Sequence, residues 1–335
     1  MREAIPQQHS RVMRKVGILT SGGDAPGMNA AIRAAVRTAT ALDMEMVGYF
    51  DGFSGFVAGE FLDLDDRAVG NILQRGGTFI GTSRCPEFLD VNVRAVAVRQ
   101  MRDAGVDGLI VVGGDGSFRA ARAIETEHGV AVVGVPGTID NDVYGTDETI
   151  GFDTAVNTAV LAIDHLRDTS ESTGMMFFVE VMGRTSGAIA LHTAVAGGAS
   201  DVLVPEAHDD IRKLVERLQV AIERGKRSHI VVVAEGDQAG GAFAVAEKAG
   251  KLLDNPYRVV VLGHIQRGGR PTARDRIVAA QSGALAVEAL AAGRSGMMIG
   301  VQGRKFVEVP LAEVVERIHP EPQYDLLSLA QKLSG

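Results

Sequence analysis

Short apolar runs recur along the chain at residues 15–20, 45–50, 108–112, 131–135, 176–181, 201–204, 230–234 and 258–262. The run at 131–135 is largely β-branched, lacks polar alternation and stops at Pro136-Gly137. A strand buried on both faces of a parallel sheet has this pattern. Between the runs lie stretches of helical length at 28–41, 91–104, 117–128, 152–168, 185–196, 209–224 and 274–292, the sixth amphipathic and the last rich in alanine. Strand and helix alternate over the whole length, which predicts an α/β chain. At 335 residues the chain is too long for one ordinary core. Two doubly wound, Rossmann-like α/β/α domains are therefore expected, with the active site in the cleft between them. Residues 1–14 carry charge but no apolar core and are expected to form a loose arm.

Three strand ends combine glycine with acid. After 15–20 comes Ser21-Gly22-Gly23-Asp24-Ala25-Pro26-Gly27, a loop of small residues before a helix. Free amides and the helix dipole make such a place an anion site. After 108–112 comes Gly113-Gly114-Asp115-Gly116-Ser117. Its glycines let a ligand approach the backbone, Ser117 is expected to cap the following helix, and Asp115 puts a carboxylate beside that N-terminus. After 131–135 comes Thr138-Ile139-Asp140-Asn141-Asp142. In an extended segment both aspartates would face one side with Asn141 turned away, although a loop with Asx turns would use the same residues. Ligands of open α/β sheets bind beyond these carboxyl ends. The Gly-rich turn at 75–84 adds a cation, Arg84.

The net charge of −8 argues against nucleic acid or an anionic membrane as partner. Phosphate substrates would need local arginines. A single cysteine, Cys85, fits a reducing, cytoplasmic setting. Neither the Walker-type G-x-x-x-x-G-K-[ST] loop nor the protein-kinase motif set occurs.

The runs ILTSGGDAPGMNAAIR, GGTFIGTSR, GGDGS, PGTIDND, VEVMGR and LGHIQRGG stand in the order and near the spacing of bacterial 6-phosphofructokinases. From about Lys15 to the C-terminus the chain resembles that ATP-dependent family. The resemblance implies transfer of the ATP γ-phosphoryl to the 1-hydroxyl of fructose 6-phosphate, with ATP as co-substrate and Mg²⁺ as cofactor. It implies a nucleotide domain of residues 15–150 plus 266–315 and a sugar-phosphate domain of 151–265 plus 316–335. Asp140 matches the base, Asp142 an acidic partner near it, and Asp115 the carboxylate associated with Mg²⁺. Thr138 and Gly23 match contacts to the transferred phosphoryl, and Arg184 a cation supporting it and the sugar. Arg84, Cys85, Gly114, Asp115, Gly116 and Ser117 match the nucleotide side. On the sugar side, Ile139, Met182, Gly183, Glu235, Ile265 and Gln266 match contacts to substrate, with Arg258, His264 and Arg267 on its 6-phosphate. Arg33, Arg37, Arg167, Arg224 and Lys226 match the basic residues that hold an effector, and the assembly implied is a homotetramer with shared sites.

Five positions sharpen or bend this picture. Pyrophosphate-using relatives carry a carboxylate at the position of Gly116 and a lysine at that of Gly137, so glycine at both implies ATP as donor. Glu60 replaces a basic effector-site residue and Ser200 a glutamate, which implies weak or altered regulation. Met175 stands where the family has an arginine, reached from the neighbouring subunit, on the sugar 6-phosphate. A lipid or NAD kinase would explain GGDGS but not PGTIDND, MGR or HIQRGG. A non-catalytic effector-binding subunit would have no use for Asp115, Asp140 and Asp142.

Overall fold

The computed structural model describes residues 13–207, 211–253, 255–317 and 323–333. In chain order it contains β1 (Lys15–Thr20), α1 (Met28–Ala41), β2 (Glu45–Tyr49), α2 (Phe53–Ala58), β3 (Phe61–Leu64), α3 (Val91–Asp103), β4 (Gly108–Gly113), α4 (Asp115–His128) and β5 (Ala131–Pro136). Then follow α5 (Phe152–Thr173), β6 (Met176–Val181), α6 (Ala188–Ala196), β7 (Asp201–Leu203), α7 (Ile211–Glu223), β8 (His229–Ala234), α8 (Gly241–Leu253) and β9 (Tyr257–Val261). The chain closes with α9 (Ala273–Ala291), β10 (Met297–Gln302), β11 (Lys305–Pro310), α10 (Leu311–Glu316) and α11 (Tyr324–Leu333). Most of the predicted arm, and the first two residues of the helix predicted at 209–224, lie outside the described residues.

Two sheets form. The first has the order β11-β10-β5-β4-β1-β2-β3, parallel except for its two edge hairpins, and the second is β7-β8-β6-β9, parallel throughout. The apolar runs are buried on both faces. In the first sheet Val16, Ile18, Ile110, Val112, Val133 and Val135 pack toward α1 and α9. Leu19, Leu109, Val111 and Val132 face the layer that includes α2, α3, α4 and α10. In the second sheet Phe178, Val231 and Val233 face α7 and α8, while Phe177, Val179 and Val232 face α5 and α6. The result is two α/β/α units joined by one continuous apolar cluster.

The apolar pattern omits β3, β10 and β11; of these β3 and β11 are only partly buried edge strands, whereas β10 is buried. Two helix starts also differ from expectation. The helix expected from 185 begins at Ala188, after the turn that positions Arg184. Helix α4 begins at Asp115 with Gly114 as N-cap and no side-chain cap, so Ser117 is not the cap; it lies buried in the first turn.

The first sheet reverses its winding between β1 and β4, which places both Gly-rich loops at the topological switch point. The chain passes between the sheets near Gly151 and again near Thr272, and a buried polar cluster ties these crossings. Asp275 accepts hydrogen bonds from the Gly151 and Thr154 amides, each 2.8 Å, and from the Thr154 hydroxyl. A carboxylate from α9 thus caps the N-terminus of α5. Burial pushes this carboxyl up to about 6, against the pull of those donors.

Candidate active site

A cavity of about 1210 Å³ opens where the three Gly- and acid-bearing strand ends meet Arg184, from the turn after β6, and Arg267, from the turn after β9. Gly23, Arg84, Cys85, Gly114, Asp115, Gly116, Ser117, Thr138, Ile139, Asp140 and Asp142 all line it. Helix α4 points its N-terminus into the cavity, an arrangement suited to phosphate. Gly116 has no positive φ, and a Cβ built on it would meet no atom within 4 Å. Neither backbone nor packing therefore demands glycine there, and the space over it opens into the cavity. Gly137 differs, since a Cβ there would come within 2.9 Å of Val112. Its glycine is already required by packing. Cys85 is half-buried and burial pushes its thiol up, so it contributes wall rather than nucleophile.

Asp140 and Asp142 do share the cavity, but not by strand alternation. Asn141 has φ 50°, in the left-handed region, so the chain bends there. Its side chain turns inward, donating to the Asp147 carbonyl (3.0 Å) and accepting from the Thr149 amide (2.9 Å) and hydroxyl (3.2 Å). Locking Asn141 presents its two neighbours to the cavity. Asp140 is 5% exposed, and its Oδ1 is buried with no hydrogen-bond partner in the protein. Burial, then the Asp142 charge, pushes its carboxyl up to about 6; Arg184 and Arg267 oppose this and Glu235 adds slightly. A carboxyl so placed can take a proton near neutral pH.

Arg184, also with positive φ (53°), is presented by the turn after β6. The Glu235 carboxylate accepts from the amides of Arg184 (2.7 Å) and Gly183 (3.3 Å), fixing that turn to the end of β8. Arg267 reaches across the cleft: a Cβ on Gly23 would lie 3.0 Å from its guanidinium. Among the described residues no group of three or more His, Cys, Asp or Glu forms a metal cage. Asp115 and Asp142 nevertheless supply hard oxygen donors to one cavity, a set that fits Mg²⁺ arriving on phosphates and keeping most of its waters.

Other expected residues lie apart. His264 and Ile265 are exposed in the turn after β9, and Met182 is buried beneath the Arg184 turn. Gln266 is fully buried. Its Oε1 accepts from the Met182 amide (2.8 Å) and its Nε2 donates to the Ala155 carbonyl (3.3 Å), so any substrate contact at this position falls to its backbone. Arg258 sits at the start of β9, paired with Phe177, and its guanidinium donates to the Tyr257 carbonyl. Met175 immediately precedes β6 at the same rim. Neither lines the cavity.

The expected effector residues divide. Arg167 and Lys226 line a second cavity of about 630 Å³ with Asp168 and Glu171, whereas Arg33 and Arg37 lie on α1, and Arg224 follows α7 without lining it. Arg167 also donates to the Gly197 and Gly198 carbonyls, and Ser200 is buried. Sequence reasoning missed Arg119, which lines the active-site cavity four residues after Asp115, and Asp275, although Thr272 to Asp275 has the spacing of a helix-start motif.

The family model described as phosphofructokinase matches residues 15–290. The chain is 53% identical over 322 residues to ATP-dependent 6-phosphofructokinase 1 of Thermus thermophilus, covering 96% of this chain and 100% of that one. It is 47% identical over 322 residues to ATP-dependent 6-phosphofructokinase of Bacillus subtilis, with the same coverage. Among solved structures it matches phosphofructokinase from Saccharomyces cerevisiae with TM-score 0.84 and 33% identity, over 90% of this chain and 45% of the yeast chain.

Proposed function

The chain belongs to the phosphofructokinase family, and from that premise we infer that it is an ATP-dependent 6-phosphofructokinase, transferring the ATP γ-phosphoryl to the 1-hydroxyl of fructose 6-phosphate. The observation that carries the site assignment is Asp140: a carboxyl raised by burial, with a partnerless oxygen, at the seam between phosphate-binding loops and two arginines. In our reading Asp140 accepts the hydroxyl proton as the oxygen attacks. The α4 N-terminus, the loop at Gly22-Gly23 and Arg84 hold the nucleotide, and Thr138 and Arg184 face the transferred group. Asp115, with Asp142 nearby, would hold Mg²⁺, which neutralises phosphate charge when bound. Met182, Gly183 and Glu235 form the sugar cradle, with His264 and Arg267 on the 6-phosphate. Residues 15–150 plus 266–315 are proposed as the nucleotide domain and 151–265 plus 316–335 as the sugar domain.

The placement of Met175 and Arg258 on a rim outside the cavity supports a homotetramer in which each serves a neighbour's sugar site. The same assembly would bring Arg33 and Arg37 to the effector cavity of another copy. Among the described residues no helix is long and apolar enough to cross a membrane, and a cytoplasmic location is proposed. The donor assignment is tested by assaying fructose 6-phosphate with ATP and with pyrophosphate at equal excess. The empty space over Gly116 predicts ATP, and preference for pyrophosphate would overturn it.

A further inference from the structure

Helix α4 carries a cation that the mechanism above does not use. Arg119 lies one turn after Asp115, its Nη2 2.8 Å from Asp115 Oδ2. Both side chains line the nucleotide side of the cavity, and they are 55% and 39% exposed. The carboxylate assigned to the metal is thus already paired with a cation from its own helix. Such an i,i+4 pair in contact with water is weak and easily exchanged. A divalent ion carries twice the charge of a guanidinium and competes for the same oxygen. Once Asp115 turns to a metal, Arg119 is left in the cavity wall without that partner, one helical step from the open space over Gly116. The group best able to take it is a phosphate, which a guanidinium can bind through two parallel hydrogen bonds.

We propose that Arg119 is a donor-nucleotide phosphate ligand held in reserve by Asp115 and handed to the nucleotide when the metal takes that carboxylate. One ion pair is thereby exchanged for two, and metal and nucleotide bind with mutual reinforcement. The proposal rests on the nucleotide-site reading above.

The test is calorimetric titration of ADP into the full chain, with Mg²⁺ and with EDTA, for the wild type and Arg119→Met. The side chain is exposed, so the variant should fold. With Mg²⁺ the substitution is expected to weaken ADP roughly tenfold, as for the loss of one charge-assisted hydrogen bond. With EDTA, where Arg119 stays on Asp115, the change should be less than about twofold. Asp115→Asn, which releases Arg119, should tighten metal-free ADP several-fold, and Arg119→Met added to it should abolish that gain. No loss in Mg²⁺, or an equal loss with and without it, would overturn the exchange. Failure of the wild type to bind magnesium ADP at all would instead overturn the nucleotide-site reading.

Discussion

The two halves of the cleft are built by different rules. The half proposed for the nucleotide comes from three adjacent strand ends of one sheet, and its glycines, aspartates and Arg84 converge on one cavity within a single chain. The half proposed for the sugar is assembled by long-range polar contacts: Glu235 holds the Arg184 turn, Gln266 ties Met182 to the first turn of α5, and Arg258 and Met175 remain on a distant rim. A polyphosphate can be bound by backbone amides and one helix dipole, so it needs only local structure. A sugar phosphate needs side-chain donors at set angles, and those depend on how the two units sit and on what lies beyond the chain.

Asp140 stands on the seam, and removing its charge should separate the halves most sharply. Asp140→Asn is expected to lower turnover by about 10²–10⁴, the usual worth of a general base, while magnesium ADP affinity stays within about threefold. Unchanged turnover would remove Asp140 as the base. The pH profile of kcat/KM carries the same information. The base works only when ionised and burial favours its neutral form, so activity should be full above its value of about 6 and fall as pH drops through it. Asp142→Asn removes a like charge and should move that limb to lower pH, though not far, because burial is the larger cause.

Within the proposed sugar half alone, Gln266→Leu should strand the Met182 amide in a buried place, at about 1–3 kcal/mol, while the Ala155 carbonyl loses a second partner but keeps its helical bond within α5. The expected signature is a lower Tm together with a raised KM for fructose 6-phosphate and an unchanged KM for ATP. Gln266→Glu, which keeps the acceptor for the Met182 amide, should recover much of the sugar KM. Equal damage to both substrates, without rescue, would mean that Gln266 supports the fold and not the cradle.

This contrast also explains what the amino-acid sequence discloses. Apolar runs buried on both faces announce themselves, as Ile110 to Val112 and Val132 to Val135 do, and the glycines and acids that follow them are close in sequence to where they act. The edge strands β3 and β11 carry weaker patterns because one side faces water. Asp140 and Asp142 are legible as a pair, but the reason they face the same way is not. It lies in the left-handed Asn141 and its contacts with Asp147 and Thr149. Asp275 acts on partners more than a hundred residues away, and Gln266 on partners 84 and 111 residues away. No local periodicity encodes that distance.

Met175 gives the smallest expected effect and the most direct test of whether the sugar half is completed from outside the chain. It follows Gly174, which closes α5 with φ 70°, and it packs partly buried against the main apolar cluster. Its backbone register sets it beside the start of β9, where Arg258 is exposed. A methionine cannot donate to phosphate, so this rim offers one cation where the family pattern has two. Met175→Arg should therefore lower the half-saturating fructose 6-phosphate concentration several-fold, within the roughly 10–150-fold ceiling of one charge-assisted hydrogen bond, and leave the ATP requirement unchanged. The gain should depend on assembly, because within one chain the rim lies away from Asp140 and Arg267. If the half-saturating concentration stays put or rises, the 6-phosphate does not reach this rim or is already neutralised by another cation. The sugar half is then complete without residue 175.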